Sequence, residues 1–389
     1  MNYKLCDDTW NEDELQAIKR VVDSNMFSMG KCVSNYERDF EKKFKVNHAI
    51  MTSSGSAANL LAVAALVYSK KIKPGDEVLV TAVSWSTTYF PLHQMGLKLR
   101  FVDIDPDTLN ISVTELKKAV TEKTKMICLV NLLGNPNEFE EIIGFCKEHD
   151  IIVMEDNCES LGAEYNGQQA GTFGLVGTYS TFYSHHLCTM EGGMVVTNDT
   201  ELYHYMLCVR AHGWTRNLPE NSNIYAKSEN PFYESFNFIV PGFNLRPIEI
   251  EGALGIEQLK KMDRIIMQRR KNAVYFCSRL KEIADVRTQK EIGKSSWFGF
   301  AVILENKYAG HRDDIVQNLM KAKIEVRPIV AGNFTRNKVI EYMDYTISGD
   351  LTNSDYIHEN GFFIGNHSNN NYAQIDYFVD VFKNILKEI

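Results

Sequence analysis

The sequence has no long apolar run, no paired cysteines and no surplus of positive charge. The first absence argues against a membrane-spanning helix. Its opening stretch, MNYKLCDDTWNEDELQAI, lacks the basic region followed by an apolar one that a secretory signal needs, so a cytoplasmic address and no membrane partner are expected. Eight cysteines, Cys6, Cys32, Cys128, Cys146, Cys158, Cys188, Cys208 and Cys277, are scattered singly. Without a CxxC pair or a cluster they read as reduced interior thiols, and no metal site is expected. With 42 Lys and Arg against 50 Asp and Glu the formal charge is −8. Binding of nucleic acid through bulk electrostatics is therefore not expected, while local pockets for small anions are allowed.

What is present is the composition of an ordinary globular protein, 44% hydrophobic and 24% charged over 389 residues. At about 150 residues per domain this length suggests two domains, or one large one with an appendage. Short apolar runs at 48–53, 77–84, 125–134 and 150–157 read as strands, with GTYSTFYS (177–184) and GGMVVTND (192–199) as a following pair. Between them SAANLLAVAALVYSK and NEFEEIIGFCKEHD have helical apolar spacing. That alternation predicts an α/β fold: a large domain (1–245) with a mostly parallel sheet flanked by helices. A long helical stretch (241–283) leads into a smaller C-terminal α+β domain (246–389) containing SSWFGFAVIL, IEVRPIV and the helix HRDDIVQNLMKAK. The polar and aromatic stretch 214–235 reads as a long loop, which in a compact domain is more often functional than not.

Chemistry concentrates at the predicted strand ends. In TSSGSAANLL, Ser53 to Ala57 lie between a strand and a helix, where backbone N–H groups, small residues and hydroxyls suit a phosphate, although for this stretch taken alone a serine-rich helix cap that binds nothing is the commoner explanation. Trp85 follows a strand and can stack on a flat heterocycle or fill a core. Asp156 ends an all-apolar strand, at the edge where α/β sheets bind ligands. A carboxylate there can keep a pyridinium nitrogen protonated and make the ring an electron sink, or cap a helix. Glu159 follows three residues on.

Taken in order, SSGSAANLL, VSWSTT, NLLGNP, EDNCESLGA, STFYSHH…EGGMVVT and PGFNLRPIEIEGALGIEQL resemble the pyridoxal-phosphate-dependent nucleotide-sugar aminotransferases of the DegT type, over nearly the whole chain. The resemblance implies fold type I, the fold of aspartate aminotransferase, with pyridoxal 5'-phosphate or pyridoxamine 5'-phosphate as cofactor. It implies that Gly55, Ser56, Ala57 and Ser180 contact the cofactor phosphate, that Trp85 stacks on the ring and that Asp156 pairs with the ring nitrogen. Glu159 stands near the ring hydroxyl, where the family more often has glutamine. Asn244 would reach the phosphate of a neighbouring subunit, so a homodimer with shared active sites is implied.

One residue departs from the pattern. Where the family has its lysine, this chain runs Phe182, Tyr183, Ser184, His185. A lysine, with a reference pKa of about 10.4, is both covalent anchor and proton carrier, whereas a histidine near about 6.5 can only carry the proton. The likeness is then to an atypical histidine-bearing branch, which implies an enzyme that removes the C3 hydroxyl of a GDP-4-keto-6-deoxy sugar, hexose or heptose, for O-antigen or capsule synthesis. His185 would be the base, L-glutamate the amino donor, and a 4-keto-3,6-dideoxy sugar the product. Another branch uses cysteines clustered near the C-terminus to hold an iron–sulfur cluster; here the last cysteine is Cys277. His186 is expected to orient or pack, and Cys188 to be inert. Ser184, His212, Arg216 and Arg327 are expected substrate contacts, the arginines because their fork suits a diphosphate or carboxylate. A 4-keto-sugar aminotransferase that lost its lysine, and an inactive nucleotide-sugar-binding regulator, are the alternative readings.

Overall fold

The computed structural model describes all residues, 1–389. The five strands β1 (His48–Thr52), β2 (Glu77–Thr81), β3 (Lys98–Val102), β4 (Thr124–Val130) and β5 (Ile152–Asp156) come first. A two-stranded hairpin, β6 (Glu164–Tyr165) and β7 (Gln168–Gln169), precedes β8 (Val176–Ser180) and β9 (Gly193–Thr197). The remainder are β10 (Val286–Arg287), β11 (Gly299–Leu304), β12 (Val326–Pro328), β13 (Tyr345–Ile347) and β14 (Gly361–Gly365). An eight-stranded sheet runs in the order β1-β9-β8-β5-β4-β2-β3-β13, and a four-stranded one in the order β10-β11-β14-β12.

From β8 through β5, β4, β2 and β3 to β13 the large sheet is parallel, and β1 and β9 add antiparallel pairs at its other edge. Helices cover both faces, so β2 is buried at every position and reads as a continuous apolar run rather than an alternating one. Helix Gly55–Tyr68 lies within one of these layers. Its string of alanines, leucines and valines is buried on almost all sides, as a helix inside a core requires.

The strand at 177–184 stops at Ser180, and the one at 77–84 stops at Thr81. The apolar run at 125–134 also ends early, at Val130, and passes into a 3₁₀ turn, Leu132–Gly134, with Leu133 at φ 49°. The runs at 77–84 and 125–134 outlast their strands because Ala82, Val83, Leu132 and Leu133 stay buried beyond the ladder, whereas past β8 Phe182 and Tyr183 are exposed at the cleft.

Helix Glu249–Leu280 is a single 32-residue element spanning both layers. It crosses helix Lys31–Phe44 at Gly252 and Gly255, where an added Cβ would lie 2.5 Å from the backbone nitrogen of Val33 and 2.6 Å from the Tyr36 ring. Two segments lie across the boundary expected from the sequence at 245/246. β13 joins the edge of the large sheet. Tyr3 sits in the small core, its hydroxyl donating to the Gly365 carbonyl at 2.7 Å. Further along the N-terminal segment, Thr9 Oγ1 donates to Gln258 Oε1 of the long helix at 2.8 Å, an oxygen that also accepts from the Cys188 amide at 3.0 Å.

Gly252→Ala forces the helix crossing apart against backbone and is expected to destabilise the fold by about 1–3 kcal/mol. Gly144→Ala, in helix Phe139–Glu148 with open space around it, is the control and stabilises by up to about 1 kcal/mol. Thermal unfolding midpoints of the two variants distinguish these outcomes.

Candidate active site

The carboxyl ends of the parallel strands define one edge of the sheet. Val130, Asp156 and Ser180 are the last residues of β4, β5 and β8, and all three line a cleft of about 660 Å³. Its far wall comes from the smaller sheet region: Phe298, Glu325, Arg327, Val330 and Phe363.

On the floor, Ser54 caps helix Gly55–Tyr68, its Oγ accepting from the Ala57 amide at 3.0 Å. Gly55 follows in close contact with β8: a Cβ here would lie 2.6 Å from Ser180 Cβ and 2.9 Å from Cys158 Sγ. A glycine, a helix start and the hydroxyls of Ser56 and Ser180 form a small, donor-lined hollow that matches a phosphate. Trp85 flanks it. Its indole is 55% exposed, although it is a large apolar ring inside a cleft, and so has a face free for a flat ligand.

Asp156 is 5% exposed and held by three donors. Its Oδ2 accepts from Asn59 Nδ2 at 2.9 Å and Thr88 Oγ1 at 2.7 Å, and its Oδ1 accepts from the Cys158 amide at 3.1 Å. The carboxylate is fixed in place while still lining the cleft. Glu159 accepts from the Leu133 amide at 3.0 Å. Burial, opposed by that hydrogen bond and aided by the nearby Asp156 charge, pushes its carboxyl up to about 7.

Between β8 and β9 the chain leaves the sheet as a loop with a tight neck. The Thr181 amide donates to Gly192 O at 2.9 Å and the Tyr183 amide to Met190 O at 3.0 Å. Only a glycine fits at 192, since a Cβ there would sit 2.4 Å from Thr189 Oγ1 and 2.5 Å from Thr181 Oγ1. The neck presents Ser184 and His185 to the cleft. The His185 imidazole rests edge-on against Phe298, centroids 5.1 Å apart at 65°, and its Nδ1 is buried with no hydrogen-bond partner. Burial, with a smaller contribution from the Arg269 charge, pushes this imidazole down to about 4, so it is neutral around pH 7. His186 points the other way, fully buried, with Nε2 3.1 Å from Ser296 O.

Gly55, Ser56, Trp85, Asp156, Glu159, Ser180, Ser184, His185 and Arg327 thus share one cleft. Ala57, His212, Arg216 and Asn244 do not line it. Ala57 contributes only its capped amide. Asn244 pairs with Ala211, accepts from Arg246 Nε at 3.0 Å, and lies beside His212, whose Nε2 is 3.3 Å from Arg246 Nη2. Arg216 stands over Trp214. These groups form a separate exposed polar patch.

Four residues escaped the sequence reading. Thr88 and Asn59 hold Asp156, and Thr178 in turn donates to Asn59 Oδ1 at 2.5 Å. A lone asparagine in the otherwise apolar AANLLAVAAL was a readable signal for one of them. Phe298, which meets His185 from far along the chain, left none.

Comparison with known proteins extends this geometry. A profile of the DegT/DnrJ/EryC1/StrS aminotransferase family matches residues 8–383. The chain is 54% identical over 387 residues to GDP-4-keto-6-deoxy-D-mannose 3-dehydratase of Yersinia pseudotuberculosis, covering 98% of each. It superposes with a TM-score of 0.96 and 53% identity on the E. coli GDP-4-keto-6-deoxy-D-mannose-3-dehydratase with bound hydrated PLP, covering 98% of this chain and 99% of that one. A structure of GDP-4-keto-6-deoxymannose-3-dehydratase with a trapped PLP-glutamate geminal diamine matches with a TM-score of 0.96 and 52% identity, covering 98% and 100%.

Glu159→Gln is expected to remove one carboxyl titrating near pH 7 from the infrared difference spectrum of the cofactor-free protein. Because the folded state holds this proton more tightly than an ordinary carboxyl does, the group favours folding at low pH and loses that advantage as pH rises through about 7. The variant should therefore lose less stability than the parent between pH 5 and 8, as read by thermal melts.

Proposed function

The chain belongs to the DegT/DnrJ/EryC1/StrS aminotransferase family, and on that premise we propose that it is a glutamate-dependent 3-dehydratase acting on a GDP-4-keto-6-deoxy sugar. The observation that carries this reading is His185, standing in the cleft where the family's lysine would be. With no amine at that position, the chain has no covalent anchor to offer there. The cofactor is held by the floor and walls alone.

When bound, pyridoxamine 5'-phosphate supplies an amine that condenses with the sugar C4 ketone and a ring that stores an electron pair until the C3 hydroxyl departs. Gly55, Ser56 and Ser180 would receive the phosphate, and Trp85 would cover one ring face. Asp156, immobilised by Asn59 and Thr88, keeps a proton on the ring nitrogen. Glu159 faces the ring hydroxyl. His185, neutral at working pH, is in the form that accepts a proton, and removes one at the cofactor 4′ carbon. Ser184 and Arg327, on opposite walls, bind the sugar and its diphosphate. The exposed patch of Asn244, His212 and Arg216 serves the cleft of a second copy, which makes the working unit a homodimer.

The balance is fixed by the chemistry. L-glutamate gives up two electrons and its nitrogen, so each dideoxy sugar formed is matched by one 2-oxoglutarate and one ammonia. Mass analysis of the product from GDP-4-keto-6-deoxymannose plus glutamate is expected to show loss of the C3 oxygen with no retained nitrogen. An amino sugar as product would make the chain an aminotransferase, and failure of glutamate to convert the cofactor to its amine form would make it a binding protein.

His185→Asn removes the proton acceptor while conserving size. Its kcat is expected to fall by about 10²–10⁴-fold, with cofactor binding, followed by absorbance, retained.

A further inference from the structure

The wall behind His185 contains a charge with no evident use. Arg269, on the long helix, is 2% exposed. Its Nη1 donates to the carbonyls of Phe298 at 3.1 Å and Trp297 at 3.4 Å, while its Nε is buried without a partner. The carboxylate whose charge acts on it, Asp7, is taken up by the amides and side chains of Ser368 and Asn369. A buried guanidinium satisfied only by main-chain oxygens is costly to keep.

The carbonyls it grips belong to a strained turn. Trp297 has φ 49°, a left-handed conformation that a bulky side chain rarely adopts. The same turn is held from three other sides. His186 Nε2 meets Ser296 O, Asn366 Nδ2 donates to Trp297 O at 2.9 Å, and the Phe298 amide donates to Leu133 O at 3.0 Å. The product of these contacts is the placement of one ring, Phe298, edge-to-face with His185.

Resting on His185 as the base, we propose that Arg269 is a positioning residue for it: by clamping the Trp297 and Phe298 carbonyls it fixes the aromatic wall that aims the imidazole into the cleft, and its fixed cation disfavours a second positive charge there. Charged and titratable groups surround this imidazole from several elements. Arg269 acts from the helix, His186 and Arg270 flank the wall, and the cleft that His185 lines also holds Asp156, Glu159, Glu191, Glu325 and Arg327 with the thiols of Cys6 and Cys158 and the phenol of Tyr183. Direction follows from sign. The Arg269 charge lowers the imidazole pKa, so its removal raises that pKa and the base is lost at higher pH.

The test uses full-length protein loaded with pyridoxamine phosphate. The His185 resonance, assigned by its absence in His185→Asn, is titrated by NMR alongside pH profiles of kcat and KM. Arg269→Met is expected to move the imidazole midpoint and the acid limb of kcat upward together by about one pH unit, and to lower kcat about tenfold through loss of aim, with KM changed less. Arg269→Lys keeps the cation but not the fork, and should restore the midpoint but not kcat. A folded Arg269→Met with the parent's titration and kcat would overturn the proposal. If Arg269→Met fails to fold, Phe298→Leu decides: kcat about tenfold down with KM little changed is expected, and parental kcat overturns it. The NMR midpoint needs no turnover, so an error in the assigned reaction would show in the product and not in this titration.

Discussion

The site is organised around a single carboxylate that is kept from moving. Asp156 ends a buried parallel strand, and its two oxygens are engaged by Asn59 from the first core helix, Thr88 from the helix after β2, and the Cys158 amide from its own turn. Those donors come from three separate elements, so the carboxylate cannot shift unless the packing between them shifts too. Thr178 on β8 extends the lattice by donating to Asn59. The phosphate hollow and Trp85 are built on these same two helices. A ligand that touches all three is therefore measured against one rigid frame, the condition under which electrostatic preorganisation is effective.

From Asp156 the hydrogen bonding continues into the opposite wall. Glu159, three residues on, accepts from Leu133; the Leu133 carbonyl accepts from Phe298; and the Phe298 carbonyl accepts from Arg269. The Glu159 carboxyl and the Phe298 ring that meets His185 are thus two stations on one hydrogen-bonded chain. Leu133 and Trp297 both sit at positive φ along it. Strain that clusters beside a reacting centre and is held from several sides is the expected mark of a site whose geometry is over-determined.

Much of this was legible in the sequence where a local rule applied. An apolar strand followed by an acid places that acid at the binding edge of a parallel sheet, and Asp156 is there. A serine and glycine at a strand-to-helix junction mark a helix start open to anions, and Gly55 with Ser180 forms the hollow. The missing lysine was plain because its neighbours were intact. What could not be read has one cause. Phe298 and Arg269 reach His185 across more than eighty residues of chain, and no periodicity couples them. The strand end at 130 was overrun for a related reason: Leu132 and Leu133 are buried beyond the ladder, and burial looks alike in sequence whether or not a ladder partner exists; Phe182 and Tyr183, past the end of β8, are instead exposed at the cleft. Likewise β13 is too short and too exposed to announce itself.

The N-terminal segment ties these parts into a mechanical linkage. Tyr3 is anchored in the smaller core, Thr9 and the Cys188 amide share one oxygen of Gln258, and the Trp10 indole donates to the Cys188 carbonyl at 3.0 Å. Cys188 lies three residues past His185 on the same loop. The seating of the chain's first ten residues and the position of the loop that carries the His185 imidazole are therefore tied through one glutamine and one cysteine.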